Sequence, residues 1–597
     1  MRRKIYEEIL ARVMAFMPSP SQLLIEKCHV GSGKTWNTIK ALEDNGYQWI
    51  YLAPFHTVID ENLRFSTLRT YNYLHLKSRG RVCLVPVYKR LAESSKRIDI
   101  RPICESSCPL KDTTCPYYEI KRQLYDEPQS WAGVHHHLRD FIKDFFDIWI
   151  NRWPMSSYYD VMIIDENPIN VLFENEMTDA EELANLRDIT LLLGVNHNHV
   201  NNFVDLLDYL VVNFHGNRNL NYDETFNLFK AVDFNSFYEK YQEALVEALI
   251  TNQINLNMVP REYIKTFAVM NKDMTREKIP SMVVKKLASP YTRKKYHFMA
   301  FNNSSLLACP IKIIGLDGTA NIKLWETITG REASVLERKY IYKNIYQLKG
   351  QGQARYPLSS WIRYSKITSS GKKLCTLIDI ICEKKKYKVL VACTKPLQPY
   401  IFANTTAQNI MFCNYYYIRS RNDFYEKCDT LILSCEPNIQ EFQLQCFANL
   451  SDWDQEMWRQ IFTQEEMIQT VGRIREDIDK TIIGREREPR EIFIFPYTPP
   501  TNNGVDINKA LYKESRIYDY TELLSYLKTG KLPQEIHRER EDDVYDYIVD
   551  NDIGKIHRNH INAAFNEYSY NECETALRGL LKRGLLKIDG NGYRRDD

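Results

Sequence analysis

The residue types best suited to chemistry lie in a short glycine-rich segment, Cys28 to Thr35, which reads Cys-His-Val-Gly-Ser-Gly-Lys-Thr. An apolar run, Leu23-Leu24-Ile25, precedes it, and a helical pattern from Trp36 to Glu43 follows it. Glycines at such a turn let backbone N–H groups close around phosphate oxygens, and the start of a helix adds partial positive charge. The segment therefore predicts a phosphate-binding loop (P-loop) that holds ATP.

The residues of this loop have separate expected roles. Gly31, Ser32 and Gly33 would bring backbone N–H groups to the phosphates. Lys34 would reach the β- and γ-phosphates, and the Thr35 hydroxyl would hold Mg²⁺. We therefore expect ATP and Mg²⁺ as cofactors.

A second chemical centre follows the apolar run Val161 to Ile164, which leads into Asp165-Glu166-Asn167-Pro168. A strand with this ending delivers carboxylates to the C-terminal edge of a parallel sheet. Asp165 would complete the Mg²⁺ shell, and Glu166 would orient or deprotonate the attacking water. Taken alone, the pattern fits an exposed turn equally well; the P-loop upstream favours the catalytic interpretation.

A third candidate group lies on a helical pattern from Gln464 to Arg475. Its Gln469-x-x-Gly-Arg473 spacing resembles the last motif of superfamily 2 motors, in which arginines from the second lobe stabilise charge on the γ-phosphate. The resemblance implies catalytic roles for Gln469, Arg473 and Arg475. Glu476 stands where the usual final arginine would fall. A charged surface helix is the structural alternative.

These residues need α/β elements to position them. Apolar strand patterns occur at Trp49 to Pro54 and within residues 311–321, where a Thr319-Ala320 loop follows. A second set begins near residue 370, with buried-strand patterns at Lys388 to Cys393 and Thr430 to Ser434. The sequence therefore predicts an α/β fold with two lobes, RecA-like motor domains that clamp ATP between them.

Four cysteines lie between the Ala-Pro strand and the Asp-Glu pair: Cys83, Cys104, Cys108 and Cys115. Thiolates clustered this way are metal ligands more often than core residues. Zinc and a [4Fe–4S] cluster both accept four cysteines, and spacing alone does not separate them. Zinc sites favour two tight cysteine pairs, and here only Cys104 and Cys108 form one, which favours iron–sulfur.

The chain then resembles the XPD/DinG-type iron–sulfur superfamily 2 DNA helicases. Cys115-Pro116-Tyr117-Tyr118, followed by Arg122, resembles the last cluster cysteine of that family. His135-His136-His137-Leu138 resembles the short histidine segment ahead of its Asp-Glu box, although a metal site is an alternative use of these histidines. The order of motifs agrees from residue 20 to about 500, and Cys28 in place of a glycine is typical of helicase P-loops. Asn167-Pro168 departs from the family's Ala-His.

The resemblance implies an ATP-dependent DNA helicase that translocates on single-stranded DNA from 5′ to 3′ and unwinds forked duplex DNA, in repair or replication. It implies a [4Fe–4S] cofactor. It also implies that the helical stretch 171–300 is an arch-like insertion, which frames a pore for DNA together with the cluster domain. Within that stretch, the spacing from Phe203 to Leu210 predicts a core-facing helix.

The end of the chain predicts a further module. Helical patterns at Val544–Val549, Arg558–Asn566 and Tyr570–Arg583 are followed by a hairpin signal around Asp589-Gly-Asn-Gly. These elements predict a winged helix. Its basic residues are expected to contact DNA phosphates: Arg578, Lys582, Arg583, Arg594 and Arg595. Docking of a protein partner is the alternative use of such a module.

The composition of the chain limits what kind of nucleic-acid surface, membrane contact and cysteine chemistry we expect. With 79 basic and 77 acidic residues the net charge is +2, so a nucleic-acid surface must be local. No apolar run approaches the roughly 18 residues of a membrane span, and the N-terminus lacks the apolar core of a signal peptide. The 14 cysteines are then expected to be reduced thiols or metal ligands, in a cytoplasmic, monomeric protein without membrane contact.

We predict motor domain 1 at residues 1–325, with a cluster insertion at 80–125 and the arch-like insertion at 171–300. Motor domain 2 is predicted at 326–500, a linker at 501–540 and the winged helix at 541–597. One alternative is a double-stranded DNA translocase or an RNA helicase with a zinc-bound insertion. Another is an ATP-gated winged-helix DNA-binding regulator.

Overall fold

The computed structural model describes most of the chain. It covers residues 2–28, 33–65, 73–93, 104, 108–138, 158–216, 220–255, 259, 263–273, 282–283, 296–338, 344–348, 361–363, 365–415, 424–437, 444, 448, 454–474, 488–495, 516–551 and 553–596. The chain divides into two compact units. The first contains Met1–Tyr340, Tyr416–Asn422 and Asn438–Arg475; the second contains Ile341–Tyr415, Asp423–Pro437 and Glu476–Asp597.

The strands are numbered in chain order among the described residues. They are β1 (Leu23–Cys28), β2 (Trp49–Ala53), β3 (Leu74–His75), β4 (Trp131–Val134), β5 (Val161–Asp165), β6 (Phe173–Thr178), β7 (Met282–Val283), β8 (Tyr296–Phe301), β9 (Lys312–Leu316), β10 (Ala333–Arg338), β11 (Ile345–Leu348), β12 (Ile362–Arg363), β13 (Lys366–Ile367), β14 (Lys388–Cys393), β15 (Ile410–Asn414), β16 (Cys428–Leu433), β17 (Glu491–Ile494), β18 (Arg516–Tyr518), β19 (Leu586–Asp589) and β20 (Gly592–Arg595).

The helices are numbered in the same way. They are α1 (Arg2–Phe16), α2 (Lys34–Glu43), α3 (His56–Phe65), α4 (Arg79–Val82), α5 (Pro86–Glu93), α6 (Pro116–Asp126), α7 (Ile169–Leu172), α8 (Ala180–Leu192), α9 (Val200–Gly216), α10 (Tyr222–Lys230), α11 (Phe234–Ile250), α12 (Tyr263–Asp273), α13 (Ser304–Leu307), α14 (Ile322–Thr329), α15 (Ser369–Glu383), α16 (Gln398–Asn404), α17 (Phe424–Lys427), α18 (Gln455–Val471), α19 (Tyr520–Thr529), α20 (Pro533–Asp550), α21 (Arg558–Ala564) and α22 (Tyr570–Lys582). Within the described part of the chain, no helix is long and apolar enough to cross a membrane.

The first unit is built on a parallel sheet with the strand order β10-β1-β9-β5-β2-β4-β3. Successive side chains of a strand point to opposite faces, and both faces of this sheet are apolar. Leu23 and Ile25 of β1 join one core cluster, whereas Leu24 joins the other. The carboxyl ends of β1, β9 and β5 therefore meet at one edge of a sheet that is buried on both faces.

The stretch 171–300 forms a subdomain of the same unit. Helices α8 to α12 pack around one apolar core, in which Phe203, Leu206, Leu207 and Leu210 of α9 are fully buried. The predicted core-facing helix is thus confirmed. The predicted helical stretch also contains an antiparallel sheet, with the strand order β6-β8-β7.

The second unit contains another parallel sheet, with the strand order β15-β14-β16-β17-β11-β18. Strand β14 has the predicted bounds, and β16 begins two residues before its predicted start. Both strands are buried along most of their length. The two α/β sets that the sequence predicts are therefore present.

The last part of the second unit contains α20, α21 and α22 followed by the antiparallel hairpin β19–β20. Ile556, just before α21, pairs with Tyr593 of the hairpin. The segment 501–540 was predicted to be a linker, but α19 and the start of α20 lie within it. Its charged composition reflects exposed helix faces in that part of the segment.

Candidate nucleotide-binding site

The predicted P-loop lies between β1 and α2. Gly31 and Ser32 are outside the described residues. Gly33 has φ +80°, a left-handed conformation that favours glycine, and α2 begins at the next residue, Lys34. The Lys34 side chain is buried. The start of the helix and its lysine therefore lie at the carboxyl end of β1, as a phosphate site requires.

The two predicted Mg²⁺ ligands lie side by side. Asp165 is the last residue of β5, and the Thr35 hydroxyl donates a hydrogen bond to its Oδ2 at 3.2 Å. Burial raises the pKa of Asp165, whereas the hydrogen bond from Tyr51 and the positive charge of Lys34 act to lower it. A hydroxyl and a carboxylate are ligands that Mg²⁺ accepts together with phosphate oxygens. The residues present therefore fit a magnesium–nucleotide complex.

Tyr51 is a member of this site that the sequence analysis missed. Its hydroxyl donates to Asp165 Oδ2 at 2.6 Å. Burial raises the pKa of Tyr51 well above its usual range, and the neighbouring Asp165 carboxylate raises it further. Tyr51 lies within the apolar strand β2, where it pairs in register with Ile163 of β5. Only this strand pairing brings it to the Asp-Glu pair, so no local sequence signal could have identified it.

Glu166 follows β5 in a left-handed backbone conformation, with φ +64°. Such strain in a residue other than glycine is concentrated at functional sites. The backbone N–H of Glu166 donates to the Leu316 carbonyl of β9 at 3.1 Å, which fixes the turn. Its carboxylate Oε1 then accepts a hydrogen bond from Arg473 Nη2 at 3.0 Å.

The Arg473–Glu166 ion pair joins two predicted catalytic residues that are 307 positions apart in the sequence. Both side chains are largely buried, with exposed fractions of 6% and 13%. Arg473 lies in the turn after α18, and the contacts of this helix group it with the first unit. The sequence motifs predict it within motor domain 2, residues 326–500. Arg475 lies outside the described residues.

A buried hydrogen-bond chain links α18 to the predicted Thr-Ala loop. Gln469 Nε2 donates to Thr319 Oγ1 at 3.2 Å. The backbone N–H and the hydroxyl of Thr319 both donate to Asp317 Oδ1 at 3.0 Å, and Trp325 Nε1 donates to Asp317 Oδ2 at 3.1 Å. The chain therefore connects α18, the loop after β9 and α14. Gln469 and the loop are among the residues that the sequence motifs indicate, whereas no sequence motif indicates Asp317.

Asn167, one of the departures from the family pattern, has a local structural role. Its side-chain Oδ1 accepts a hydrogen bond from the Ile169 backbone N–H at 3.0 Å. This contact satisfies a donor at the start of the short helix α7. Asn167 is itself buried beside the Asp-Glu pair.

The four cysteines lie near one another in the first unit. Burial raises the pKa of Cys104 to about 12; the Arg79 charge lowers it, and Cys108, Cys83 and Cys115 raise it. Soft thiolates suit iron–sulfur clusters and zinc, so the donor chemistry fits either group. However, no group of three or more His, Cys, Asp or Glu side chains in the described ranges is arranged to hold a metal ion.

The histidine segment forms a 3₁₀ turn after β4, in which His135 and His137 are buried and His136 is exposed. His137 Nε2 lies 3.3 Å from the Leu76 carbonyl oxygen. A Cβ at Gly133 would lie 2.7 Å from the His137 ring, so glycine is needed for this close approach. His137 therefore contributes to packing at the end of β4.

Two of the five predicted DNA-contacting residues form ion pairs within the C-terminal module. Arg578 pairs with Glu574 at 2.8 Å, one helical turn earlier. Arg583 pairs with Glu541 at 3.1 Å and with Asp542 at 2.8 Å. Among the remaining three, Lys582 and Arg594 are exposed and Arg595 is half-buried.

No protein-family model matches the chain, and no curated protein matches its sequence. The chain is similar to several solved structures. S. tokodaii Xpd4 is 11% identical over 89% of this chain and 99% of its own, with a TM-score of 0.46. An apo form of XPD is 13% identical over 87% and 99%, with a TM-score of 0.46. The DUF1998 helicase MrfA, bound to DNA and AMPPNP, is 8% identical over 99% and 59%, with a TM-score of 0.34.

Proposed function

We propose that this chain is an ATP-dependent DNA helicase with two RecA-like motor domains, which translocates on single-stranded DNA from 5′ to 3′ and unwinds forked duplexes. One observation carries the proposal. At the carboxyl edge of one parallel sheet, Thr35 contacts Asp165 and Arg473 contacts Glu166. Together they supply the residue types that Mg²⁺-dependent phosphoryl transfer to water uses: Mg²⁺ ligands, a carboxylate for the attacking water and an arginine for the phosphoryl charge.

Each residue of the site has a role in hydrolysis. Lys34 would bind the β- and γ-phosphates, and Thr35 and Asp165 would hold Mg²⁺, which neutralises phosphate charge when bound. Glu166 would orient the attacking water and accept its proton. Arg473 would stabilise the charge that develops on the transferred phosphoryl group. Because Glu166 and Arg473 bind each other, both must give up this ion pair before they act.

The buried chain from Gln469 through Thr319 to Asp317 supports a motor rather than a simple hydrolase. Its hydrogen bonds tie the helix that carries Arg473 to the loop after β9. Through these hydrogen bonds, movement of Arg473 would therefore displace that loop. The sequence resemblance to XPD/DinG-type enzymes supports DNA as the polymer along which the motor would translocate.

The proposal includes a [4Fe–4S] cluster held by Cys83, Cys104, Cys108 and Cys115. Cys104 belongs to the same apolar core as helices α8 to α12. A cluster there would brace the arch-like insertion against the segment that follows β3. Its role would be structural, as for other metal sites that contribute folding energy.

Anaerobic purification tests the cluster. We expect a brown protein with stoichiometric iron and sulfide, and a colourless Cys108→Ser variant. Cys309→Ser, a change at a buried cysteine elsewhere in the first unit, is the matched control and should retain colour. Stoichiometric zinc in a colourless wild-type protein would instead support the zinc-bound alternative.

The C-terminal module would be a winged helix that contacts DNA phosphates through Lys582, Arg594 and Arg595. Arg578 and Arg583 would contribute less, because their guanidinium groups are held by acidic residues. Docking of a protein partner is the other use of such a module. Removal of the two exposed charges, Lys582 and Arg594, should weaken DNA binding and reduce its salt dependence only if the module contacts DNA.

Strand displacement on a forked DNA tests the helicase activity. We expect ATP-dependent unwinding by the wild type and none by Glu166→Gln, which keeps the shape of the side chain but removes the proton acceptor. Glu239→Gln, at an exposed position of α11, is the matched control. Displacement of RNA duplexes alone, or movement along duplex DNA without strand separation, would favour the translocase or RNA-helicase alternative. Site-specific duplex binding with no unwinding would favour the regulator.

A further inference from the structure

Strand β2 places a polar group at the nucleotide edge of the first sheet. The strand reads Trp-Ile-Tyr-Leu-Ala, and all five side chains are buried. Tyr51 points to the same face as Trp49 and Ala53, into one apolar core cluster. For packing alone, a phenylalanine would serve equally well at this position. The hydroxyl therefore needs a separate explanation.

That hydroxyl has a specific partner. It donates to Asp165 Oδ2 at 2.6 Å, a short bond of the kind that a charged acceptor produces. The Thr35 hydroxyl donates to the same oxygen at 3.2 Å. A carboxylate oxygen offers about two lone-pair positions, so these two donors occupy Oδ2. Rotation of the Asp165 carboxylate would break both bonds.

We propose that Tyr51 is a positioning residue for Asp165, and that it sets the affinity of the nucleotide site for Mg²⁺. This inference rests on the proposed function of the site. Tyr51 is not a ligand in this scheme: it fixes the orientation of a carboxylate on the neighbouring strand. The partners of metal-binding side chains commonly contribute about 10- to 100-fold to metal affinity.

Another buried tyrosine provides a matched control. Tyr159 also lies in the first unit, is 1% exposed, and donates its hydroxyl to a backbone carbonyl, that of Gln129, at 3.1 Å. Tyr159→Phe therefore removes a buried hydroxyl without touching the Asp165 carboxylate. Any general cost of losing a buried hydroxyl will appear in both variants.

The experiment measures binding of a fluorescent ADP analogue to the full chain at increasing Mg²⁺ and, separately, in EDTA. For Tyr51→Phe we expect the Mg²⁺ concentration at half-saturation to rise at least tenfold, with unchanged affinity in EDTA. Tyr159→Phe should match the wild type in both. The Mg²⁺-dependent rise in melting temperature with bound nucleotide should shrink in Tyr51→Phe alone.

The outcomes are distinguishable. If Tyr51→Phe and the wild type show the same Mg²⁺ half-saturation, the positioning role is wrong, while the proposed function stands. If the wild type binds no nucleotide, or binds it with the same affinity in Mg²⁺ and in EDTA, the proposed function itself fails. Should Tyr51→Phe not yield folded protein, Tyr51→Met is a second hydroxyl-free variant that adapts to the same cavity. The same tenfold criterion applies to it.

Discussion

Glu26 allows a quantitative prediction about stability and pH. This residue lies in β1 and is fully buried. Its two carboxylate oxygens lie 2.9 and 3.0 Å from the Thr38 hydroxyl, which donates its one hydrogen to the carboxylate. Burial raises the pKa of Glu26 from 4.5 to about 7; the Thr38 hydrogen bond and the charge of Lys34 oppose the rise. The folded protein therefore binds a proton that the unfolded chain releases between these two pH values.

The sign of the effect follows from this difference in proton binding. Because the folded-state pKa is raised, the contribution of Glu26 to stability is fully present below pH 4.5 and is lost as the pH rises through about 7. The Glu26 contribution to the free energy of unfolding should decrease by on the order of 3 kcal/mol over this window and then level off. Glu26→Gln removes the titration and keeps an oxygen that accepts from Thr38. We therefore expect the variant to gain stability relative to the wild type as the pH rises.

Urea unfolding at pH 5, 6, 7 and 8 measures this difference. The variant should unfold at the same urea concentration as the wild type near pH 5 and at a higher one at pH 8. Glu239→Gln, at an exposed position of the same unit, should shift the midpoint by a similar small amount at every pH. A Glu26→Gln difference that stays constant with pH, or a loss of stability at pH 8, would show that Glu26 does not take up a proton on folding in this pH range.

Other substitutions test neighbouring parts of the account. Arg473→Ala should lower kcat for ATP hydrolysis about a thousandfold or more with little change in nucleotide affinity, whereas Arg459→Ala on α18 should leave both unchanged; equal loss in the two variants would contradict the role of Arg473. Gln469→Ala removes the donor to Thr319 and should reduce the stimulation of ATP hydrolysis by single-stranded DNA; full stimulation would exclude the coupling role. Phe203→Ala should lower the free energy of unfolding by about 3–5 kcal/mol, because the ring is fully buried and lies 4.7 Å from that of Phe237; a change below about 1 kcal/mol would contradict this packing.

Local patterns were sufficient for the elements that carry the motifs. Strand Lys388–Cys393 has its predicted bounds, because polar residues on either side of a run of β-branched and apolar residues mark where a buried strand begins and ends. Helix α9 followed from its apolar spacing. The strand-to-turn signal at Val161 to Asp165 was likewise readable, because contiguous residues carry it.

The contacts of the candidate site were not readable in the same way. Tyr51 meets Asp165 across a pair of parallel strands, and Arg473 meets Glu166 from 307 positions away. The sequence does not distinguish Glu26 from other polar residues in strands, because only the structure shows that its side chain is fully buried. These contacts depend on strand order and on which face each residue occupies, which the linear sequence does not contain.

The predicted linker illustrates a missed local signal. The segment 501–540 is predicted to be a linker, yet Asp519 and Glu522 form a capping box at the start of α19. Pro533 is the first residue of α20, a position that favours proline. The i, i+4 pair of Glu574 and Arg578 was also visible in the sequence and reduces the case for Arg578 as a DNA contact.

The most direct test of the central claim is ATP hydrolysis by the purified full chain, with and without single-stranded DNA. We expect DNA to stimulate turnover in the wild type, and we expect Lys34→Ala to retain its fold but to show only background turnover. Lys40→Ala, two turns along the same helix, should behave as the wild type. Undiminished turnover in Lys34→Ala, or wild-type turnover that ignores DNA, would contradict the assignment of this site to a DNA-driven motor.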